Sequence, residues 1–204
     1  MKSFLNISLS VALTSSFIAA SFQANAGNPE RAGQAGASQL LINPYARSAG
    51  WAGSNGALSK GLESQYTNVA GLAATKKTEL MFMRSAWLVG TGININTFGF
   101  SQRVGETGAI GLGIMSINAG KIERTTEDQP EGGLGTFTPR FTNIALSYAK
   151  EFSDNIFGGV TVRVISEGID NVKAQGVSLD AGIQYHTGKY EHIHLGVGLK
   201  NVGP

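Results

Sequence analysis

The sequence predicts an all-β protein, an antiparallel transmembrane β-barrel with a short N-terminal plug. Three observations lead to this class. From residue 78 onward, segments of roughly ten residues alternate apolar and polar positions between turn signals. After residue 26 no apolar run is long enough for a spanning helix. Charged residues form only 15% of the chain, against roughly 25% in soluble domains, so part of the surface is expected to face something other than water.

The N-terminus predicts export. Lys2 precedes an uncharged, mostly apolar run over residues 4–20, and a small-residue site follows at Ala24 and Ala26. This pattern is typical of a Sec signal peptide over residues 1–26, with an uncleaved anchor as the alternative. The chain has no cysteine, which excludes a disulfide framework and any thiolate metal site. Together these features predict a protein of the bacterial outer membrane.

Residues 27–76 differ in pattern from the rest of the chain. This region is rich in Gly, Ala and Ser and shows no sustained alternation, and residues 58–72 predict one or two short helices. We therefore expect an N-terminal plug or hatch segment here. Residues 77–204 predict seven strands of the barrel, at residues 78–87, 91–103, 108–118, 140–152, 156–168, 175–186 and 192–201.

The alternation assigns the two faces of the later strands. In the sixth segment one face carries Val177, Leu179, Ala181, Ile183 and Tyr185, and the other carries Ser178, Asp180, Gly182, Gln184 and His186. The first face is expected to meet lipid and the second a polar interior. The second segment is ambiguous, because Phe98 and Phe100 share a face with Asn94 and Asn96. A soluble β-sandwich of seven strands is the competing fold.

The connections suggest an orientation. Tight turns at residues 104–107, 153–155 and 187–191 are typical of the periplasmic end, where Phe100, Tyr148, Phe152, Phe157 and Tyr185 would form an aromatic girdle. The long hydrophilic link at residues 119–139 would then be external. It is the candidate partner-binding loop, with Lys121, Glu123, Arg124, Gly132 and Gly133 as its candidate site residues.

The sequence contains no recognisable catalytic, cofactor or metal constellation, so we predict a protein that is not an enzyme. His192 and His194 share a strand face but have no third ligand in sight. Arg163 and Asp180 lie on neighbouring predicted strands and are interpreted as an ion pair facing the interior. A formal net charge of only +2 argues against a nucleic-acid partner.

Two motifs near the N-terminus resemble a known family. The stretches LINPYARSAG (residues 41–50) and QYTNVAGLA (residues 65–73) are similar to the opening of the PorV/PorQ family of outer-membrane proteins, which are FadL-like barrels. Asn68, Ala70, Gly71 and Leu72 match the family's hatch motif, whereas Val69 replaces its proline. The segment GLKNVGP at residues 198–204 also resembles a family motif.

This resemblance implies a FadL-like barrel of about fourteen strands, of which the seven predicted here would be the N-terminal half. It also implies a component of the type IX secretion system that binds the C-terminal signals of secreted proteins or docks at the translocon. The alternatives are a FadL-like channel for hydrophobic small molecules and a purely structural envelope protein. The expected partners are therefore the outer-membrane bilayer, the secretion translocon and secreted cargo, with no cofactor.

Overall fold

A seven-stranded antiparallel sheet forms the body of the protein. The computed structural model describes residues 36–187 and 193–203. The predicted all-β class and the seven main strands are confirmed, in the order β1-β2-β3-β6-β7-β8-β9. These strands are β1 (Thr78–Trp87), β2 (Ile93–Val104), β3 (Gly108–Asn118), β6 (Arg140–Ser153), β7 (Ile156–Ile169), β8 (Val172–His186) and β9 (His194–Val202). Strands β1 and β9 are the two edges, so the sheet is not closed among the described residues.

The strand boundaries agree with the sequence prediction to within three residues. The largest difference is at β8, which begins at Val172 instead of residue 175, because a tight turn with Asp170 at φ 52° lets β7 and β8 pair up to their ends. The long link also contains a ribbon that the sequence analysis missed, β4 (Ile122–Glu123) paired with β5 (Thr136–Phe137). The predicted signal peptide and residues 188–192 lie outside the described residues.

Short helices precede the sheet and lie across one of its faces. The N-terminal segment, residues 37–75, contains the 3-10 helices Ser38–Leu41, Gly61–Tyr66 and Val69–Ala74 and one α-helical turn at Ala46–Ala49. Where the sequence predicted one or two short helices over residues 58–72, the structure has two, both of them 3-10 helices. We call the face of the sheet beneath this segment the covered face, and the opposite one the bare face.

The two faces have opposite chemistry in β6 to β8. On the covered face the strands bury polar side chains, including Ser147, Thr161, Arg163, Asp180 and Gln184. On the bare face they expose large apolar side chains, including Ile144, Leu146, Val162, Leu179 and Ile183, and Val162 is 44% exposed. This arrangement is the reverse of a soluble domain, in which the apolar face is buried.

The bare face changes abruptly from polar to apolar along the strands. A row of polar residues crosses six neighbouring strands at the end that carries the long link: Arg84, Asn96, Ser116, Thr142, Ser166 and Gln175. The next row on the same face is entirely apolar: Phe82, Phe98, Ile114, Ile144, Val164 and Val177. We call the first the polar row, and the second begins what we call the apolar band.

The register also explains the ambiguous face of β2. Asn96 lies in the polar row, and Phe98 lies one step further along the strand at the edge of the apolar band. The same face of β2 therefore carries amides on the side of the long link and aromatic rings within the apolar band. The pattern of one strand alone does not show where the change occurs.

Aromatic residues lie at the end of the apolar band near the short turns, and one of the predicted girdle positions is corrected by the structure. Tyr148, Phe152 and Tyr185 are exposed on the bare face near the short turns. The expected girdle position of Phe157 is wrong, because this ring packs on the covered face against Ala149 and the other residues of a small buried cluster. Phe157 follows the turn at residues 154–155, and its place in the register opposite Glu151 turns it to the covered face. Among the described residues, no helix has the length and apolar character to cross a membrane.

Candidate functional site on the covered face and the long loop

The hatch motif fastens the N-terminal segment to the covered face. Asn68 caps the last 3-10 helix by accepting a hydrogen bond from the Ala70 N–H at 3.2 Å. Its side-chain amide donates to the carbonyl oxygens of Ile183 at 3.0 Å and Val197 at 3.3 Å, on β8 and β9. Asn68 therefore joins a helix end to two strands, which accounts for this residue type in the motif.

Glycines allow the segment to approach the sheet. A Cβ added at Gly159 would lie 2.9 Å from the Val69 carbonyl oxygen, and a Cβ at Gly182 would clash with the Asn68 amide. A Cβ at Gly71 would clash with the Ser59 carbonyl. Side chains at the two strand glycines would push the segment off the sheet, and one at Gly71 would disrupt packing within the segment. Ala70 and Leu72 are fully buried in the same contact.

A buried ion pair forms the polar centre of the contact. Arg163 and Asp180 face each other on β7 and β8, with Nε and Nη2 of Arg163 both 2.8 Å from Oδ2 of Asp180, and their side chains are 2% and 4% exposed. Arg163 also donates to the Gln65 carbonyl oxygen, and its guanidinium lies 5.1 Å from the ring centre of Tyr66. The predicted pairing is confirmed, and the pair also binds the N-terminal segment.

Further hydrogen bonds surround this pair. Asp180 accepts from the backbone N–H of Asn201 at 2.8 Å through its other oxygen. Lys200 donates to the Tyr66 carbonyl oxygen at 2.7 Å, and the amide of Gln65 donates to Ser147 Oγ at 3.0 Å. Sequence reasoning missed the role of Gln65 and Tyr66, although both residues open the stretch QYTNVAGLA and this position was a usable signal.

The covered face is apolar at its other side, on β1 to β3. Tyr45, Tyr66, Ile95, Met115 and Ile117 form a buried cluster, and the two tyrosine rings meet edge to face with centroids 5.5 Å apart. Burial raises the pKa of both tyrosine hydroxyls above their usual value. The polar covered face that the alternation predicted for β8 and β9 therefore does not extend to this part of the sheet, where the sequence left the assignment of faces open.

The segment is also held by charge at its surface. Arg47 forms a salt bridge to Glu63 at 2.7 Å, within the segment itself. The Glu63 carboxylate raises the pKa of the largely exposed Arg47 guanidinium. The backbone N–H of Leu62 donates to the Glu79 carboxylate at 3.0 Å, which joins the segment to β1. These contacts brace the segment internally and join it to the edge strand β1.

The candidate loop residues lie together on an exposed, structured excursion. Lys121, Glu123 and Arg124 belong to or flank the β4–β5 ribbon, and Gly132 and Gly133 take φ values of 88° and 90° in its turn. These glycines are required by the left-handed backbone. Arg124 forms a salt bridge to Asp170 in the β7–β8 turn, so the loop is attached to the sheet.

Histidines cluster at the opposite end of the covered face. His186 and His194 stand edge to face with ring centroids 4.5 Å apart, and a ring nitrogen of His186 lies 3.3 Å from the Ala57 carbonyl oxygen. His192 lies outside the described residues. Among residues 36–187 and 193–203, no group of three or more His, Cys, Asp or Glu side chains is arranged to hold a metal ion.

Comparison with known proteins gives no match, either to a protein-family model or to a curated protein.

Proposed function

We propose that this protein is an outer-membrane β-barrel protein whose N-terminal segment lies inside the barrel wall. The observation that carries this proposal is the apolar band on the bare face, bounded by the polar row across six strands. In β8 the band runs from Val177 to Tyr185, or about 26 Å along the strand at the usual rise per residue. With the usual tilt of roughly 40° this run covers about 20 Å of membrane thickness, somewhat less than the roughly 25 Å apolar band of outer-membrane barrels.

A closed wall requires partners for both sheet edges. Strands β1 and β9 have one neighbour each among the described residues. In a bilayer, unpaired backbone groups along these edges would cost several kcal/mol each. Under this proposal, further strands pair with β1 and β9 to complete the barrel.

Within that class, we favour a component of protein secretion in the manner of PorV-like proteins, with binding of secreted proteins or of the translocon at the external loops. The support comes from the covered face, where the N-terminal segment buries Arg163, Asp180, Gln65 and Gln184 in a hydrogen-bonded network. Because the N-terminal segment covers this face, a partner would bind at the long loop, where Lys121 and Glu123 are exposed.

A second function, a channel for hydrophobic small molecules, is favoured by a different observation. On the covered face of β2 and β3, Ile95, Met115 and Ile117 form a buried apolar cluster with Tyr45 and Tyr66 of the N-terminal segment. An apolar inner wall beside the N-terminal segment suits a path for apolar molecules better than a polar wall does.

The test uses the full-length protein in purified outer membranes. Gel migration of unboiled and boiled samples reports a folded barrel, and affinity capture from the unboiled fraction reports partners. Capture of translocon components or secreted cargo that is lost when Lys121, Glu123 and Arg124 are replaced by serine supports the secretion role. A heat-modifiable barrel without such partners, together with faster uptake of a fatty acid by cells that express it, supports the channel. Recovery as a soluble protein refutes both.

A further inference from the structure

A polar groove opens on the bare face at the end that carries the long loop. It has a volume of about 490 Å³ and is lined by residues of the β5 end and of β6, β7 and β8, including Phe137, Arg140, Thr142, Ser166, Lys173 and Gln175. Thr142, Ser166 and Gln175 are neighbours in the polar row, and Arg140 and Lys173 lie one step further toward the strand ends. The groove therefore has a floor built by three paired strands.

The groove carries two cations with no partner. Arg140 and Lys173 are exposed. Neither side chain makes a hydrogen bond or ion pair with the part of the chain that the structure describes. Two carboxylates also line the groove, but each is engaged: Asp170 with Arg124 across the loop, and Glu167 with the amide of Gln39. The amide of Gln39 is neutral and leaves the charge of Glu167 in place, so three positive side chains (Arg124, Arg140 and Lys173) face two negative ones and the formal balance at the groove is +1.

The position of the groove indicates the class of ligand that would fit it. Its floor, the polar row, is directly followed on the same face by Ile144, Val164 and Val177 at the edge of the apolar band. In the proposed membrane setting this is the level at which lipid headgroups meet acyl chains. A planar guanidinium that can bind two phosphate oxygens, an ammonium group and two hydroxyls suit a phosphate group.

We propose that this groove binds the phosphate of a membrane-lipid headgroup, with the acyl chains lying along Ile144, Val164 and Val177. The inference rests on the membrane part of the proposed function, and goes beyond it by naming a lipid site. A headgroup is favoured over free phosphate because the apolar band begins one row below the groove and offers a surface for acyl chains. Arg140 and Lys173 are the main ligands, and Thr142, Ser166 and Gln175 add neutral hydrogen bonds.

The experiment is a titration of the purified full-length protein with bisphosphorylated lipid A in detergent, followed by native mass spectrometry. The test variant combines Arg140→Gln with Lys173→Gln. The control variant combines Arg84→Gln in the polar row with Lys76→Gln just before β1, and so removes one arginine and one lysine charge outside the groove. We expect about a fivefold weaker affinity for each groove cation removed, so roughly 25-fold for the double variant. The control should change affinity less than twofold.

Three outcomes would contradict the proposed lipid site. These are equal weakening in the test and control variants, an unchanged affinity in the test variant, and competition by inorganic phosphate at the same concentration as lipid. Each variant is first checked for the heat-modifiable gel shift, which separates loss of the site from loss of folding. A protein that shows no such shift and extracts without detergent would refute the membrane proposal itself, whereas an inserted protein with unchanged lipid affinity would refute only the groove.

Discussion

Replacement of Arg163 by methionine should loosen the N-terminal segment from the sheet. Arg163 is 2% exposed, and it holds Asp180 through two contacts of 2.8 Å. Methionine fills most of the same space but leaves the Asp180 carboxylate buried, with the Asn201 N–H as its remaining close donor. Removing one partner of a buried pair typically costs about 3–5 kcal/mol in the free energy of unfolding, and we expect that cost here.

The neutral double variant distinguishes the ion pair from simple packing. Arg163→Met combined with Asp180→Asn removes both charges of the pair, so its cost should fall short of the sum of the single variants by about 2 kcal/mol or more. Urea unfolding of the protein folded in detergent, followed by the fluorescence of Trp51 and Trp87, gives the four free energies of the cycle.

A second readout follows the segment itself. The chain has no cysteine, so Ser64→Cys introduces a single thiol at a fully buried position of the N-terminal segment. The thiol should be unreactive to a maleimide in the parent protein and should react in the Arg163→Met background. A single-variant cost below about 1 kcal/mol, strict additivity in the cycle, or an equally protected thiol would refute the claim that the Arg163–Asp180 pair holds the N-terminal segment on the sheet.

The remaining predictions concern packing, the band and pH. Gly71→Ala should abolish the heat-modifiable form, because the added Cβ meets the Ser59 carbonyl, whereas Gly176→Ala, where nothing lies within 4 Å, should leave the gel shift intact. Val162→Arg in the apolar band should lower the free energy of unfolding measured in lipid by about 2–4 kcal/mol. Thr142→Arg in the polar row should lower it by under about 1 kcal/mol. Equal costs of the two variants would count against a lipid-facing band. Since burial raises the pKa of the Tyr45 and Tyr66 hydroxyls above their usual value of 10.0, the folded state resists ionisation that the unfolded chain accepts. Urea midpoints should therefore fall as pH rises above 10, and a flat profile would exclude this burial.

Much of the sheet was predictable from the sequence because the alternation that defines each strand lies within a short stretch of the chain. Alternation with period two in residues 175–186 fixed both the strand and its faces, and the structure agrees that Asp180 and Gln184 are buried while Leu179 and Ile183 are exposed. Turn signals then bounded each strand closely. This success depended on long strands with one uniform face.

The features that sequence missed depend on register between strands. Asn96 and Phe98 share a face of β2, and only their neighbours Ser116 and Ile114 reveal that the boundary of the band passes between them. The groove likewise joins Arg140 and Lys173, which are far apart in the chain and come together through β7. Contacts of this kind are set by tertiary pairing, and no local pattern encodes them.

The candidate hatch residues were identified by motif, but their partners were not. Asn68 binds carbonyls of Ile183 and Val197, more than a hundred residues away in the chain. The apolar cluster around Tyr45 was also missed, because its members come from short irregular turns and from strands whose alternation was mixed.

The most direct test of the lipid-facing band is a scan of single cysteines along β7 at residues 160, 161, 162, 164 and 166, each carrying a nitroxide label in native outer membranes. Collision with oxygen, which concentrates in lipid, and with a water-soluble nickel complex reports the surroundings of each label by electron paramagnetic resonance. The account predicts high oxygen and low nickel accessibility at residues 160, 162 and 164, low values of both at 161, and nickel accessibility rising at 166. Nickel accessibility at residues 160, 162 and 164 equal to that at 166 would contradict it.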